Sequence, residues 1–335
     1  MSINNRKVVA EIPSEVYKLF QDTSSSDRAV AEKARGMYAQ ALQEPLRESV
    51  LAGQIYNNIF SIERYGYGAK PMYQLDWIVP GTEGDYVAYT IPAQGEMPRK
   101  IVSSDYIEVP TYEIGASIDW NRRMAQVAGP QFLRKAQTRL EQMLTKKLND
   151  DCFHALLMAI VDRGIVVYDA AAAANQFTKR LVSVGNLVMR RNAGGNSVTN
   201  NRKLTDIYMS LEAHEDVRNW GIDIVPDTVR TRIYDSPDGL RDIFGTNLMP
   251  LFELGVGQEY QDYYTTTLGG TLPAGDSEIM IGLDLTANDS FVMPLIEEAT
   301  VEFDDERRNR IQGFWTTMIF GVGVLDARRA LGLSC

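Results

Sequence analysis

A chain of 335 residues, 44% apolar and 23% charged, can build one large or two moderate cores and has the balance of a folded soluble protein. Its 34 Lys and Arg against 44 Asp and Glu leave a net charge of −10, which excludes a protein that grips nucleic acid through a broad basic face, though not one that works beside it. No run of about eighteen apolar residues marks a membrane span, residues 1–7 lack the apolar stretch of a signal peptide, and Cys152 and Cys335 fit neither a metal cluster nor a disulfide framework, so free thiols in a reducing compartment are expected.

Residues 1–64 read as a mobile start followed by helical segments, with a polar capping run at 22–27, helix formers from Ala29 to Leu42, and a restart at Pro45. The apolar stripe is thin, as in an arm lying on neighbouring subunits or in an ordinary helical cap. From 65 to 105, Gly and Pro punctuate short strand-like runs at 74–79 and 86–91. Such a two-stranded excursion buries no core of its own and is marginal in water unless something covers it.

At 112–120 Tyr112, Ile114, Ala116, Ile118 and Trp120 alternate with polar or small residues, the clearest strand in the chain. It runs into a long helical pattern, predicted over 130–162, with Leu133, Ala136, Leu140, Leu144, Leu148, Cys152, Leu156 and Ile160 on one stripe. Pro130 suits the first turn and Gly164 the stop. A helix of that extent is about 45 to 50 Å long and needs support along its whole length, from this chain or from others.

Further on, a loop or helix tip is expected at 170–174, and Thr178 is placed to cap a helix ending at Asn192 to Gly195. A strand at 204–209 follows, then a short helix capped by Ser210 and stopped by Gly221. Strands are predicted at 279–283 and 290–293. Beyond them Ala299, Val301 and Phe303 alternate with acids, a charged turn occupies 304–310, an apolar strand covers 314–325 beside the 112–120 strand, and a short helix covers 326–331.

This order of elements, with the wording of 112–119, 215–220 and 314–330, resembles the major capsid proteins of tailed double-stranded DNA phages, the HK97-like family. The resemblance spans nearly the whole chain and rests on element order more than on invariant motifs. It implies an α+β fold with an N-terminal arm (1–64), an extended hairpin loop (65–110), a peripheral domain (111–177 and 293–335) holding a spine helix (130–162), and an inserted axial domain (178–292). The implied function is a structural subunit that self-assembles as pentamers and hexamers into an icosahedral head enclosing DNA without sequence-specific binding. Such a subunit resides in the virion, is assembled in the host cytoplasm, meets scaffolding, portal and decoration proteins, and touches no membrane. The chain departs from part of the family in lacking a long charged coiled coil ahead of the arm. An encapsulin-like compartment shell shares the fold and stays open as an alternative, as do a soluble α+β enzyme and a tail or portal component.

The functional candidates are charges at two tips: Arg99 and Lys100 in the loop, and Asp304, Asp305, Glu306, Arg307, Arg308 and Arg310 in the charged turn. They read either as a solvated surface or as inter-subunit ion pairs, each worth about 0 to 1 kcal/mol when exposed, so that only repetition over many interfaces makes them count. Lys100, with Lys70 as second choice, is the lysine placed for the loop-to-asparagine cross-link that part of the family makes; a solvated lysine is the plain alternative. No catalytic, cofactor or metal residue is expected. His154 lies near Asp150, Asp151 and Cys152 without a second His, His214 sits in an acidic helix start, and the Gly255-Val256-Gly257 and Gly321-Val322-Gly323 triplets lack the setting of a dinucleotide loop.

Overall fold

The computed structural model describes residues 55–75, 105–121, 130–172, 176–192, 202–220, 242–273, 276–286, 289–306 and 310–335, with single positions between 22 and 46. Its strands and helices in chain order are β1 (Ser61–Arg64), β2 (Met72–Leu75), β3 (Asp105–Glu108), β4 (Thr111–Asn121), α1 (Pro130–Arg163), β5 (Val166–Val167), α2 (Lys179–Asn192), β6 (Asp206–Met209), α3 (Leu211–Asn219), β7 (Asp242–Ile243), β8 (Thr246–Pro250), α4 (Glu259–Asp262), β9 (Ile279–Leu283), β10 (Phe291–Glu306), β11 (Ile311–Gly321), β12 (Gly323–Val324) and β13 (Ala330–Ser334). No helix among the described residues is long and apolar enough to cross a membrane. Contacts divide the chain into two units: Met1–Pro71, Val109–Asp151 and Met293–Val322 form the first, and Met72–Glu108, Cys152–Val292 and Gly323–Cys335 the second.

The first unit is built on the strand predicted at 112–120. In β4 the side chains of Ile114, Ala116 and Trp120 are buried while Glu113, Ser117 and Asp119 are exposed, the alternation a half-buried strand requires. β4 pairs antiparallel with β11 from Thr111 opposite Gly321 to Asn121 opposite Ile311, without a shift of register. That register sets Trp120 5.1 Å from Phe314 and Tyr112 4.9 Å from Phe320, ring to ring. β10 pairs with the other side of β11 and β1 closes the row, giving the order β1-β10-β11-β4.

In the same unit α1 buries Ala136, Leu140, Leu144 and Leu148 and exposes Lys135, Arg139 and Lys147. The Tyr112 hydroxyl donates to Asp151 at 3.0 Å, and Lys147 holds the other oxygen of that carboxylate at 2.7 Å. α1 ends as predicted: Gly164 takes φ 61, a conformation that costs glycine nothing, and its N–H donates to the Ile160 carbonyl at 3.1 Å.

The second unit carries a six-stranded sheet in the order β5-β13-β9-β6-β8-β7. α2 and α3 cover one face, burying Phe177, Leu181, Val182 and Val217 against Ile207, Met209, Leu331 and Leu333. On the other face Phe153, from the later part of α1, meets Tyr208 at 5.5 Å and Tyr260 at 5.3 Å. Both predicted caps are present. Thr178 Oγ1 accepts from the Leu181 N–H at 3.2 Å, and Ser210 Oγ from the Ala213 N–H at 3.0 Å. The 170–174 run turns at 170–172, and the Gly221 stop lies outside the described residues.

Three local expectations are corrected. The helix predicted at 326–331 is instead a 3-10 turn, Ala327–Arg329, followed by β13. Asp326 caps the turn by accepting from the Arg328 N–H at 3.1 Å, and every residue of β13 is buried between parallel β5 and antiparallel β9. Strand partners on both sides outweigh a helix preference worth only tenths of a kcal/mol per residue. The turn predicted at 304–310 is shorter: Asp304, Asp305 and Glu306 continue β10 opposite Gly313, Gln312 and Ile311, so the acids belong to a paired strand. The 314–325 strand likewise ends at Gly321, and Gly323 and Val324 pair with Val292 and Phe291 of β10.

Gly321 is where β11 has no room for a side chain. A Cβ there would lie 2.5 Å from the Pro110 carbonyl oxygen and 3.2 Å from Pro294, whereas one at Gly115 would meet nothing closer than 3.5 Å. Because backbone cannot yield as a side-chain tip does, Gly321→Ala is expected to cost about 2 kcal/mol in urea unfolding. Gly115→Ala should be neutral or slightly stabilising, and equal effects from both would refute this account.

Candidate assembly surfaces

β2 and β3 form a two-stranded ribbon to which no other described strand is added. Met72 faces Glu108, Tyr73 faces Ile107, Gln74 faces Tyr106 and Leu75 faces Asp105. Tyr73 is buried, yet Met72 is 55%, Tyr106 62% and Ile107 42% exposed. Among the described residues this ribbon has neither the third strand nor the covering helix that gives a two-stranded ribbon its own stability, and three large apolar side chains stand exposed on it. Residues 76–104, with Arg99 and Lys100, lie outside the described residues; Lys70 is exposed just before β2.

The other charged tip joins β10 to β11. Arg310 is exposed and takes φ 55, unusual for a residue with a Cβ and typical of a tight reversal. Arg307 and Arg308 lie outside the described residues, and of Asp304, Asp305 and Glu306 the strand positions are described. On the face of the first unit's sheet away from its buried residues, Trp315 is 40% exposed between Ser117 and Glu302.

Inside the second unit the ionisable groups have structural partners. Asp326 accepts from Arg202 at 2.6 Å and from Arg328 at 2.9 Å, and Arg163 donates to the neighbouring Ala327 carbonyl at 3.4 Å. Burial alone would raise the Asp326 carboxyl, but the hydrogen bond from Arg328 and the charges of Arg202 and Arg328 hold it below the usual carboxylate range. Ser210 donates to Glu278, whose carboxyl is pushed up by burial despite that bond, with Glu212 and Asp216 adding to the rise. Burial pushes the Cys335 thiol up to about 12, which leaves it protonated and inert near neutrality, and Cys152 is also free and buried.

His154 stacks on Tyr263 with ring centroids 3.7 Å apart, a packing role. His214, in the acidic start of α3, is buried while its neighbours Glu212 and Glu215 are exposed. Among the described residues no group of three His, Cys, Asp or Glu side chains is arranged to hold a metal. A cleft of about 420 Å³ in the second unit is lined by Val161, Tyr168, Tyr264, Thr271 and Pro273 and by glycines, with no charged side chain in its wall. It offers no acid or base to a substrate.

Sequence reasoning missed the turn after β8, where Phe252 is 73% and Val256 63% exposed and Gly255 and Gly257 take φ 124 and 72. The signal was present in the Gly255-Val256-Gly257 triplet, whose two glycines permit a tight turn that displays the apolar residue between them. It also missed the arginine cluster on Asp326, whose members Arg163, Arg202 and Arg328 come from three separate stretches of the chain.

No protein-family model and no curated protein matches the sequence. Solved structures do. A chain from Microbacterium phage Oxtober96 matches 84% of this chain and 90% of its own length at 11% identity and a TM-score of 0.55. A chain of the capsid of Cyanophage P-SCSP1u matches 84% and 88% at 8% identity and a TM-score of 0.53. A chain of the mature capsid of bacteriophage PhiM1 matches 84% and 86% at 10% identity and a TM-score of 0.53. At such identities the likeness is one of fold, and the fold is the HK97-like capsid fold of phage major capsid proteins, as the element order implied.

The raised Glu278 carboxyl carries a signed prediction. A carboxyl that holds its proton more tightly when folded destabilises the fold once it must ionise, so stability falls as pH rises through the raised value. Glu278→Gln should therefore melt near the wild-type temperature at pH 4 and above it at pH 8. A melting difference that does not change with pH would overturn the assignment.

Proposed function

We propose that this protein is the structural subunit of a tailed-phage head, many copies forming pentamers and hexamers that close into an icosahedral shell around double-stranded DNA. The observation that carries the reading is the β2–β3 ribbon, a sheet of two strands with Met72, Tyr106 and Ile107 exposed. No described strand extends it, and a neighbouring copy in a symmetric assembly would cover it. Capsid chains of the same fold support the choice of assembly. In this reading residues 1–64 are an arm, 65–110 an extended loop, 111–177 with 293–335 a peripheral domain, and 178–292 an axial domain. Arg99 and Lys100 at one tip, and Asp304, Asp305, Glu306, Arg307, Arg308 and Arg310 at the other, meet neighbouring copies. The role is mechanical rather than enzymatic, the place of work is the virion after assembly in the host cytoplasm, and scaffolding, portal and decoration proteins are the further partners. A net charge of −10 suits a wall that encloses DNA without adhering to it.

Two experiments test the reading. Sedimentation and negative-stain microscopy of the full chain should show capsomers or closed shells, and a compact monomer at high concentration would refute it. Particles that enclose enzymes and no nucleic acid would move the assignment to a compartment shell. Replacing residues 76–104 with Asn-Gly joins Leu75 to Asp105 through a two-residue hairpin turn and leaves the β2–β3 pairing possible. The shortened chain is expected to fold with a near-wild-type circular dichroism spectrum and to form no closed particles. Normal shells from it would refute the role given to the loop.

A further inference from the structure

In the first unit β4 holds two acidic residues and β10 six, and neither these strands nor β11 has a lysine, arginine or histidine. Strand register sorts the face away from the buried residues into rows about 7 Å apart. Asp119 lies opposite Gly313, Ser117 and Glu302 flank Trp315, Thr300 lies beside Thr317, and Glu113 and Glu297 flank Ile319. Glu113, Asp119, Glu302 and Trp315 are exposed, and among the described residues none of the four has a hydrogen bond, ion pair or ring contact. Arg64, at the β1 margin, is taken by Glu298 at 2.6 Å.

An antiparallel sheet keeps a polar face in water without difficulty. Here, however, a large indole stands in water on an interior strand, and the carboxylates around it have no cation to offset their repulsion. An aromatic ring bordered by carboxylates suits a guanidinium, which stacks on the ring and pairs with the acid.

The matching cations are on α1. Over residues 135–146, exposed Lys135, Arg139, Gln142 and Met143 fall within about 100° of helix surface, and Glu141, the acid of that stretch, falls outside it. Lys135 and Arg139 have no hydrogen bond or ion pair among the described residues; Lys146 and Lys147 are already engaged and are not counted. Lys135, Arg139 and Met143 are four residues apart, a rise of about 6 Å each, close to the spacing of the outward rows of the sheet. A helix laid along the strands thus brings Lys135 to Asp119, Arg139 to Trp315 and Glu302, and Met143 to Thr317. Both surfaces are exposed in the single chain, so each is left for another molecule. At a net charge of −10 copies repel one another at long range, and a local patch of opposite sign is what brings them into register.

We propose that two copies of this chain join through the α1 stripe of one, Lys135, Arg139 and Met143, seated on the sheet face of the other at Asp119, Trp315 and Glu302. The proposal rests on the shell reading and names one contact between its subunits.

Charge exchange in the full chain tests it. Lys135→Glu with Arg139→Glu, and separately Asp119→Lys with Glu302→Lys, should each lower the fraction sedimenting as capsomers or shells by at least about tenfold, with melting temperatures near wild type because all four side chains are exposed. Combining the four substitutions should restore assembly to within about twofold of wild type, since each reversed patch then meets a reversed partner. A second measure does not depend on the charge variants folding: the acrylamide quenching owed to Trp315, read as the difference between wild type and Trp315→Phe, should fall on assembly. A Trp315 as open in shells as in the free chain overturns the contact. Assembly unaffected by either reversal overturns this inference and leaves the shell reading intact; a wild-type chain that never assembles overturns both. If the combined variant stays unassembled, or if reversal of Lys135 and Arg139 weakens binding to random-sequence duplex DNA while shells persist, α1 faces a different partner and the proposal fails.

Discussion

The pairing of β4 with β11 is the contact on which the first unit depends. It runs from Thr111 opposite Gly321 to Asn121 opposite Ile311 and joins stretches of chain with five of the six strands of the second unit's sheet between them in sequence. Closing a loop of that size costs conformational entropy that grows only slowly with length, and the paired aromatics Trp120, Phe314, Tyr112 and Phe320 supply the burial that offsets it. The demand for contact between β4 and the backbone beyond it is visible at Gly321, pressed against the Pro110 carbonyl. Once this pairing is set, β10 and then β1 have an edge to join.

Much of the fold was legible in the sequence where one periodicity ran long enough to leave no second reading. The five alternations at 112–120 became β4, the stripe from Leu133 to Ile160 became α1, and Thr178 and Ser210 cap their helices as expected. Short segments were less legible. The stretch from Ala327 to Leu331 has helix-forming residues, and local preference pointed to a helix, but the vacancy between β5 and β9 is a property of distant strands that no window of sequence displays. His214 illustrates the same limit, since its burial depends on what covers α3 and not on the acids beside it.

The candidate site was less legible than the fold, for a physical reason. A surface used between copies needs no motif, because its chemistry is ordinary exposed charge and exposed apolar area, and composition looks alike whether a side chain faces water or a neighbour. The β2–β3 pairing was the more legible part, because the Gly- and Pro-punctuated strand pattern after residue 65 pointed to a two-stranded segment. The patches on α1 and on the outward face of β4, β11 and β10 emerge only when exposure is known, as Met143 and Trp315 are apolar residues a sequence would assign to the core. The buried ion cluster around Asp326 has the converse character: its arginines read as surface charge yet hold the segment leading into β13.

The position of β13 has a consequence for synthesis. It is the thirteenth strand in chain order yet an interior member of its sheet, with β5 hydrogen-bonded to nothing else in that sheet. While a ribosome is still making residues 330–334, the sheet lacks the strand that ties β5 to the rest, and the layer formed by α2 lacks Leu331 and Leu333 beneath it. Completion of the second unit's sheet therefore waits until residues 330–334 have been made, after every other strand of that sheet.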